Sequence, residues 1–164
     1  MLATVDAYSV SVFVHVAAVV VGFGSTYALA VAFPVAMSAG IRYLPYVHHL
    51  GLALNRWFAT PALVVVLATG IYQVADDDGR GWSFGDGWIS GAFVILIILG
   101  GLIGAVFIPG ERRLLAMAER DLATGSGEMS DEYNAASRRS AMFGALAGVL
   151  ILVAIFLMVT KPGA

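Results

Sequence analysis

Residues 11–34 read SVFVHVAAVVVGFGSTYALAVAFP, a run in which the only titratable side chain apart from the tyrosine is one histidine, His15. A hydrocarbon core of ~30 Å is crossed by about 20 helical residues that rise ~1.5 Å each. The run is long enough for that crossing. It therefore predicts a membrane-spanning helix that carries a titratable ring and a Gly-x-Gly pair, Gly22 and Gly24.

The composition of the whole chain agrees with a lipid environment. Of its 164 residues, 60% are hydrophobic and only 12% are charged, and the mean hydropathy is +0.88. A soluble domain with one core does not need so much apolar sequence. At 17.2 kDa, several spans leave no length for a separate soluble catalytic domain, so we expect one membrane domain over residues 1–164.

Charge and cysteine content exclude several classes of function. The formal net charge of −2 gives no reason to expect nucleic acid as a partner. The absence of cysteine excludes disulfides, thiolate metal sites and cysteine nucleophiles. The flank before the first apolar run contains Asp6 and no basic residue, so we expect that run to remain in the mature protein.

Four stretches are long and apolar enough to span a membrane, and they define the expected fold. The prediction is an all-α polytopic membrane protein, a bundle of four transmembrane helices. A helical pattern also follows the third span, and Ser130 before two acidic residues is typical of an N-cap before the fourth. We therefore expect a short cytoplasmic helical hairpin that extends helices three and four, and Pro61 should kink the second span. The spans are expected at residues 10–36, 57–75, 88–108 and 140–160.

Orientation follows from the distribution of basic residues between the connections. Seven arginines fall in the loops between spans one and two and between spans three and four, whereas the opposite side has only Arg80 and Lys161. Cytoplasmic loops carry the excess of Lys and Arg. We expect a plasma or bacterial inner membrane location with both termini outside the cytoplasm.

His15 has two interpretations. An ionisable group inside a span commonly marks a functional site, but a neutral imidazole can equally hold two helices together by a hydrogen bond. A haem would need a second axial ligand at similar depth. His48 and His49 lie about 25 to 35 Å further along the membrane normal. Met158 is at a comparable depth, so haem bound by His15 and Met158 is the alternative to no cofactor.

Two other polar clusters have simple interpretations. Adjacent side chains on a helix diverge by about 100°, so His48 and His49 do not form a metal site, and we expect both at the inner surface as partly protonated groups. The glycine-rich loop at 75–88 lacks the spacing of a calcium loop and is expected to be a solvated turn. Its acidic residues are Asp76, Asp77, Asp78 and Asp86.

Arginine and glycine mark the candidate contact surfaces. The densest cationic group is a candidate contact for anionic lipid headgroups or an acidic partner, although such a group is most often only the orientation signal. This group is Arg112, Arg113, Arg138 and Arg139. Glycine lets helix backbones approach closely, within this chain or against another subunit. The glycines expected at helix contacts are Gly22, Gly24, Gly100, Gly101, Gly104, Gly144 and Gly148.

One family resemblance rests on the first half of the chain. A histidine in span one followed by Gly-x-Gly, here His15, Gly22 and Gly24, then a basic loop and a kinked second span, resembles the DUF2269 family of small predicted integral membrane proteins. More distantly the chain resembles the CopD copper-resistance proteins and the HemJ-type protoporphyrinogen oxidases. The resemblance implies four membrane helices with a link to haem or copper. The HemJ-type enzymes also use an intramembrane lysine, which this chain lacks, since its one lysine is Lys161.

The sequence therefore supports two functions. The first is a non-enzymatic accessory or structural subunit of a larger membrane complex, or a homo-oligomer, because the spans are rich in glycine and poor in polar groups that could line a transport path. The second is a haem- or copper-linked redox membrane protein that uses His15. No soft-donor cluster of the Met-x-Met kind favours copper.

Overall fold

The computed structural model describes residues 6–76 and 79–163, and in these ranges the chain is helical with no β-strand. Two short π-helical turns join α2 to α3 and α4 to α5, and a 3₁₀ turn precedes α2. The α-helices are α1 (Ala7–Ala39), α2 (Leu44–Leu54), α3 (Thr60–Ala75), α4 (Gly87–Leu102), α5 (Ile108–Ala123) and α6 (Asp131–Thr160). The all-α class predicted from the sequence is confirmed.

Four continuous helical runs are long and apolar enough to cross a membrane, as predicted. They are Ala7–Ala39, Ile41–Ala75, Gly87–Ala123 and Asp131–Thr160. Each is longer than the apolar stretch that predicted it, because helix continues into polar sequence on the side where the arginines lie. The second and third runs are extended most, and the extensions of the third and fourth runs form the expected helical hairpin beyond the apolar zone.

The prolines in the second and third runs are accommodated by π turns rather than by a break. Pro61 follows the turn Asn55–Ala59, and Pro109 follows the turn Ile103–Phe107. A proline inside a helix has no N–H to donate, and its ring collides with the carbonyl four residues earlier. Widening the preceding turn relieves that collision, so the kink expected at Pro61 is a local change of helix type.

The helices pack in pairs around two separate cores. Within the apolar zone α1 lies mainly against α3 and α4 against α6, whereas α2 lies against α5 beyond it. The membrane core is built from Phe23, Val66, Ile95, Leu99, Ala147 and Ile151. The hairpin core is built from Leu44, Leu114, Met117, Ala118 and Tyr133. Large apolar side chains outside these cores, such as Phe13 and Ile97, face outward, where lipid solvates them without penalty.

Glycine lies at contacts between helices that include α1 with α3, α1 with α6, and α3 with α4. Gly22 on α1 faces the side chain of Ala62 on α3 so closely that a methyl group at position 22 would overlap it. Gly148 on α6 lies beside the ring of Tyr27, whose hydroxyl donates to the Gly148 carbonyl over 2.9 Å. Gly100 faces Leu63. A methyl group added at Gly24, Gly101, Gly104 or Gly144 would meet no described atom within 4 Å beyond the adjacent residues and backbone of its own helix.

Capping interactions fix the hairpin. Ser130 accepts a hydrogen bond from the backbone N–H of Tyr133, and Asp131 and Glu132 occupy the first turn of α6, as the sequence predicts. Asp121, near the end of α5, accepts from the Ser130 N–H over 2.9 Å and from Arg120. These bonds, led by those from Ser130, hold the pKa of the Asp121 carboxyl below its ordinary value. Hydrogen bonds therefore hold the turn between α5 and α6 both at the end of α5 and at the start of α6.

The contact at Gly22 gives a testable expectation. Gly22→Ala should lower the free energy of unfolding by about 1–3 kcal/mol, because the added methyl group forces α1 away from Ala62. Gly24→Ala is the matched control, since it has the same chemistry and open space around it. Thermal or SDS unfolding in detergent measures both. Equal stability of the two variants would show that α1 and α3 do not approach closely at Gly22.

Candidate functional site

A cavity of about 570 Å³ lies between α1, α3, α4 and α6, at the end of the bundle that carries the 76–86 loop. Its walls are almost wholly apolar, and its few polar side chains lie in α1, in α3 and at the mouth. These are Tyr8, His15, Gln73, Arg80, Trp82, Trp88 and Lys161. Apolar walls with a few polar groups, in a volume of a few hundred Å³, are typical of a small-molecule site.

His15 lies half-buried in the cavity wall, and its hydrogen bonds determine which ring nitrogen carries the proton. Its Nδ1 is 2.8 Å from the Thr69 hydroxyl oxygen. That hydroxyl donates its single hydrogen to the Val65 carbonyl over 2.6 Å, so it accepts from His15. In the neutral ring Nδ1 therefore carries the hydrogen and Nε2 keeps its lone pair. No described residue bonds to Nε2.

The neighbouring polar groups of α1 and α3 are also paired across the two helices. The Gln73 amide donates to the Ser11 hydroxyl and carbonyl at 3.3 and 3.4 Å. Together with His15 and Thr69, this pairing joins α1 to α3 along one wall of the cavity. The same geometry allows both interpretations of His15. Its Nδ1 joins α1 to α3, as expected of a packing contact, and its Nε2 remains available, as expected of a ligand.

Met158 of α6 lines the same cavity as His15. The structure therefore brings to one site the two residues that the sequence suggested as ligands. Among the described residues no three His, Asp or Glu side chains come close enough to hold a metal ion by themselves. A group that supplied most of its own ligands would need only one or two from the chain.

His48 is buried within the protein, whereas an exposed, partly protonated side chain was expected. Only 1% of it is exposed, and it lies in the hairpin core against Phe33. Its Nδ1 is 2.7 Å from a Glu111 carboxylate oxygen, and its Nε2 is 2.9 Å from the Tyr133 hydroxyl. These bonds join α2, α5 and α6.

The proton positions in this network follow from the groups present. A carboxylate only accepts, so Nδ1–H of His48 donates to Glu111, and Nε2 accepts from the Tyr133 hydroxyl. Burial, with the nearby Glu111 charge second, raises the pKa of Tyr133, so the hydroxyl keeps the hydrogen that it donates. His49, by contrast, is exposed. Adjacent histidines cannot show which of them is turned inward, and the acid that pairs with His48 lies 63 residues away.

The comparisons with known proteins agree with this architecture. Residues 9–162 match the family described as predicted integral membrane protein DUF2269. The chain belongs to the DUF2269 family. No curated protein and no solved structure matches it. With four candidate spans, this DUF2269 chain is a multi-pass integral membrane protein.

The arginine group of this DUF2269 protein lies at the base of the hairpin. Arg113 forms an ion pair with Glu132 at 3.0 Å, and the Arg139 guanidinium lies 5.8 Å from the ring centre of Phe143. Arg112 and Arg138 are exposed. The cationic surface predicted from the sequence is therefore divided between one arginine paired within the chain and others that face outward.

The opposite loop of the DUF2269 chain contains a turn closed by Asp86, which accepts from the Ser83 N–H over 2.8 Å. Asp76 accepts from the Tyr72 hydroxyl over 2.7 Å. Asp77 and Asp78 lie outside the described residues. The described part of the loop therefore uses its carboxylates in local turn and helix-end bonds, as a solvated turn does.

The His48 network predicts a stability difference between two tyrosines. Tyr133→Phe should lower the free energy of unfolding by about 1–3 kcal/mol, because it leaves Nε2 of the buried His48 without a donor. Tyr46→Phe is the control, since Tyr46 is 73% exposed. Denaturant unfolding in detergent measures both. If both variants lost the same small amount, the hydroxyl of Tyr133 would not be needed to satisfy His48.

Proposed function

We propose that this protein is a haem-linked membrane component that holds its cofactor in the cavity through His15. The observation that supports this most is the unshared Nε2 of a ring whose Nδ1 is fixed by Thr69, in the wall of an apolar cavity. A ligating histidine generally has its other nitrogen bonded in this way, because that bond sets the tautomer and the ring orientation.

The residues around the cavity fit a haem better than a bare copper ion. A porphyrin would bring four nitrogens to its iron, so the chain would need to supply only one or two further ligands, for which His15 and Met158 are the candidates. A bare copper ion would need several more donors. The chain has no cysteine, and its described residues contain no cluster of three His, Asp or Glu. Bound haem would supply one-electron chemistry.

The chain's own part in this function is to bind and to exclude water. Residues such as Phe23, Ile95 and Leu99 close the inner end of the cavity with side chains that are almost fully buried. A low-dielectric wall of this kind sets the potential of a bound redox group. Thr69 orients His15, and the pairing of Gln73 with Ser11 keeps α1 beside α3.

The haem proposal is tested by the absorption spectrum of the protein purified in mild detergent from its native membrane. We expect a Soret band stoichiometric with the chain, absent in His15→Ala and retained in His49→Ala, because His49 is exposed at the other end of the helices. Met158→Leu should keep the haem but change the position of the band, since it alters only the second ligand. Gel filtration checks that each variant is folded.

A colourless wild-type protein, or a Soret band that survives in a folded His15→Ala variant, would overturn this proposal. Metal analysis of the same samples distinguishes haem iron from copper. Copper bound in proportion to the chain and lost in His15→Ala would mean that the cavity holds a metal ion without a porphyrin.

A second proposal is that the protein is an accessory subunit of a larger membrane complex or a homo-oligomer. The observation that favours it is the open space over Gly24, Gly101, Gly104 and Gly144, which do not pack against this chain's own helices. Small residues on an outward helix face let another helix approach. In this proposal the outward arginines lie on the cytoplasmic side against anionic lipid headgroups, with both termini outside the cytoplasm.

Native gel electrophoresis after gentle extraction tests the accessory role. We expect a particle much larger than 17.2 kDa, and a Gly101→Leu/Gly104→Leu variant should shift it to the monomer, because two bulky side chains block the approaching helix. Ala53→Leu is the control for added bulk at an exposed position on another helix. The unfolding free energy of the isolated chain should not change. A monomer from native membranes would refute the accessory role.

A further inference from the structure

Trp88 has a buried hydrogen-bond donor with no acceptor. Only 4% of this residue is exposed, it lines the cavity, and its indole N–H finds no partner among the described residues. Buried polar groups in proteins are nearly always paired, and an unpaired one in a cavity wall indicates a missing acceptor. An indole N–H can only donate. The group that satisfies it must therefore offer an oxygen or another acceptor.

Lys161 places a positive charge beside Trp88. It follows the last residue of α6 and lines the same cavity, and its ammonium lies 4.0 Å from the ring centre of Trp82 and 5.6 Å from that of Trp88. Its backbone is left-handed, with φ 44°, a conformation that residues other than glycine seldom adopt. Within the described ranges no carboxylate forms an ion pair with it.

We propose that the mouth of the cavity recognises the anionic head of an amphipathic ligand. A carboxylate oxygen accepts from the Trp88 N–H and lies against the Lys161 ammonium, while the apolar body of the ligand lies deeper, towards Phe23 and Leu99. The inference rests on the proposed function for the location of the ligand, and it adds the chemical class of the head.

The charges of the cavity wall select an anion over a cation or a neutral head. Arg80 and Lys161 line the mouth, and none of the described lining residues is acidic. Arg80 stacks on Tyr8 and Trp82, at 4.4 and 5.3 Å, and its charge also acts on Asp6, so the preference for an anion is assigned to Lys161 rather than to Arg80.

One head chemistry is compatible with two sources. The carboxylates could belong to the propionate groups of haem or to the head of a fatty acid or similar lipid. Both molecules present a carboxylate oxygen beside a large apolar body. They differ in the part that would lie near His15, which is an iron porphyrin in haem and a hydrocarbon chain in a fatty acid. The test therefore uses both kinds of molecule, each paired with a neutral ester of the same shape.

The lipid arm uses dibrominated stearate, whose bromines quench nearby indoles, and its methyl ester as the uncharged control. In a Trp57→Phe background, where Trp82 and Trp88 report, stearate should quench at lower concentration than the ester. Lys161→Gln should weaken stearate binding about tenfold, the loss expected for one charge-assisted bond, and should leave the ester unaffected. Lys161→Arg should retain the preference, because the positive charge remains.

Trp88→Phe tests the second contact. Quenching is then read from Trp82, and stearate binding should weaken. Binding of the ester should weaken by the same factor or less, because the ester also offers a carbonyl acceptor. Equal affinity for stearate and ester in the unaltered protein would overturn the proposal. So would a Lys161→Gln variant that binds stearate as tightly as its parent.

The haem arm separates this inference from the proposed function. Haemin and its dimethyl ester are titrated while the Soret band is followed. His15→Ala should abolish the Soret change and leave stearate quenching intact, whereas Lys161→Gln should weaken both haemin and stearate. If haemin does not bind but stearate is preferred over its ester, the haem proposal fails and anion recognition stands. If haemin and its ester bind equally through His15, the haem proposal stands and anion recognition fails.

Discussion

A polar group surrounded by hydrocarbon has no water with which to pair, and this constraint accounts for most of the specific contacts in the molecule. Along the α1–α3 contact His15 meets Thr69 and Gln73 meets Ser11. At the arginine-rich end His48 is bonded on both ring nitrogens. Each of these bonds fixes the rotation of one helix against another. Dispersion contacts alone would not, because lipid chains contact an apolar helix face as well as another helix does.

The same constraint gives meaning to the exception at Trp88. Among the described residues, the indole nitrogen of Trp88 is the one fully buried side-chain nitrogen or oxygen without a hydrogen-bond partner, and it lies in the wall of the cavity. The two histidines show the complementary case. His48 uses both nitrogens within the protein and is structural, whereas His15 uses one and leaves the other for a ligand.

Much of the fold could be predicted from the sequence, because the length and apolarity of four segments determine it. The cap at Ser130 and the hairpin follow from local residue patterns for the same reason. The buried position of His48 could not be predicted, since it depends on Glu111 and Tyr133, which are distant in sequence. The π turn before Pro109 was also missed, because a proline does not by itself determine one: Pro34 lies inside the regular helix α1.

The candidate site was predictable only in part. His15 is conspicuous as the one histidine in an apolar run, and Met158 follows from its depth. The partner of His15 was not predictable, because Thr69 is one of several hydroxyl residues in the spans and only the rotation of α3 against α1 selects it. The orphaned N–H of Trp88 has no sequence signal, since an interfacial tryptophan normally finds water or a headgroup.

The helical run Ile41–Ala75 carries both His48 and Thr69, and the π turn Asn55–Ala59 lies between them. A π turn accommodates one residue more than an α turn, so it offsets the angular positions of the two side chains around the helix axis. The extra residue therefore sets the rotation about the helix axis of the part after the π turn relative to the part before it. In this helical run His48 faces the hairpin core and Thr69 faces His15 in the cavity wall. In an unbroken α-helix of the same sequence, one of these two side chains would point away from its partner.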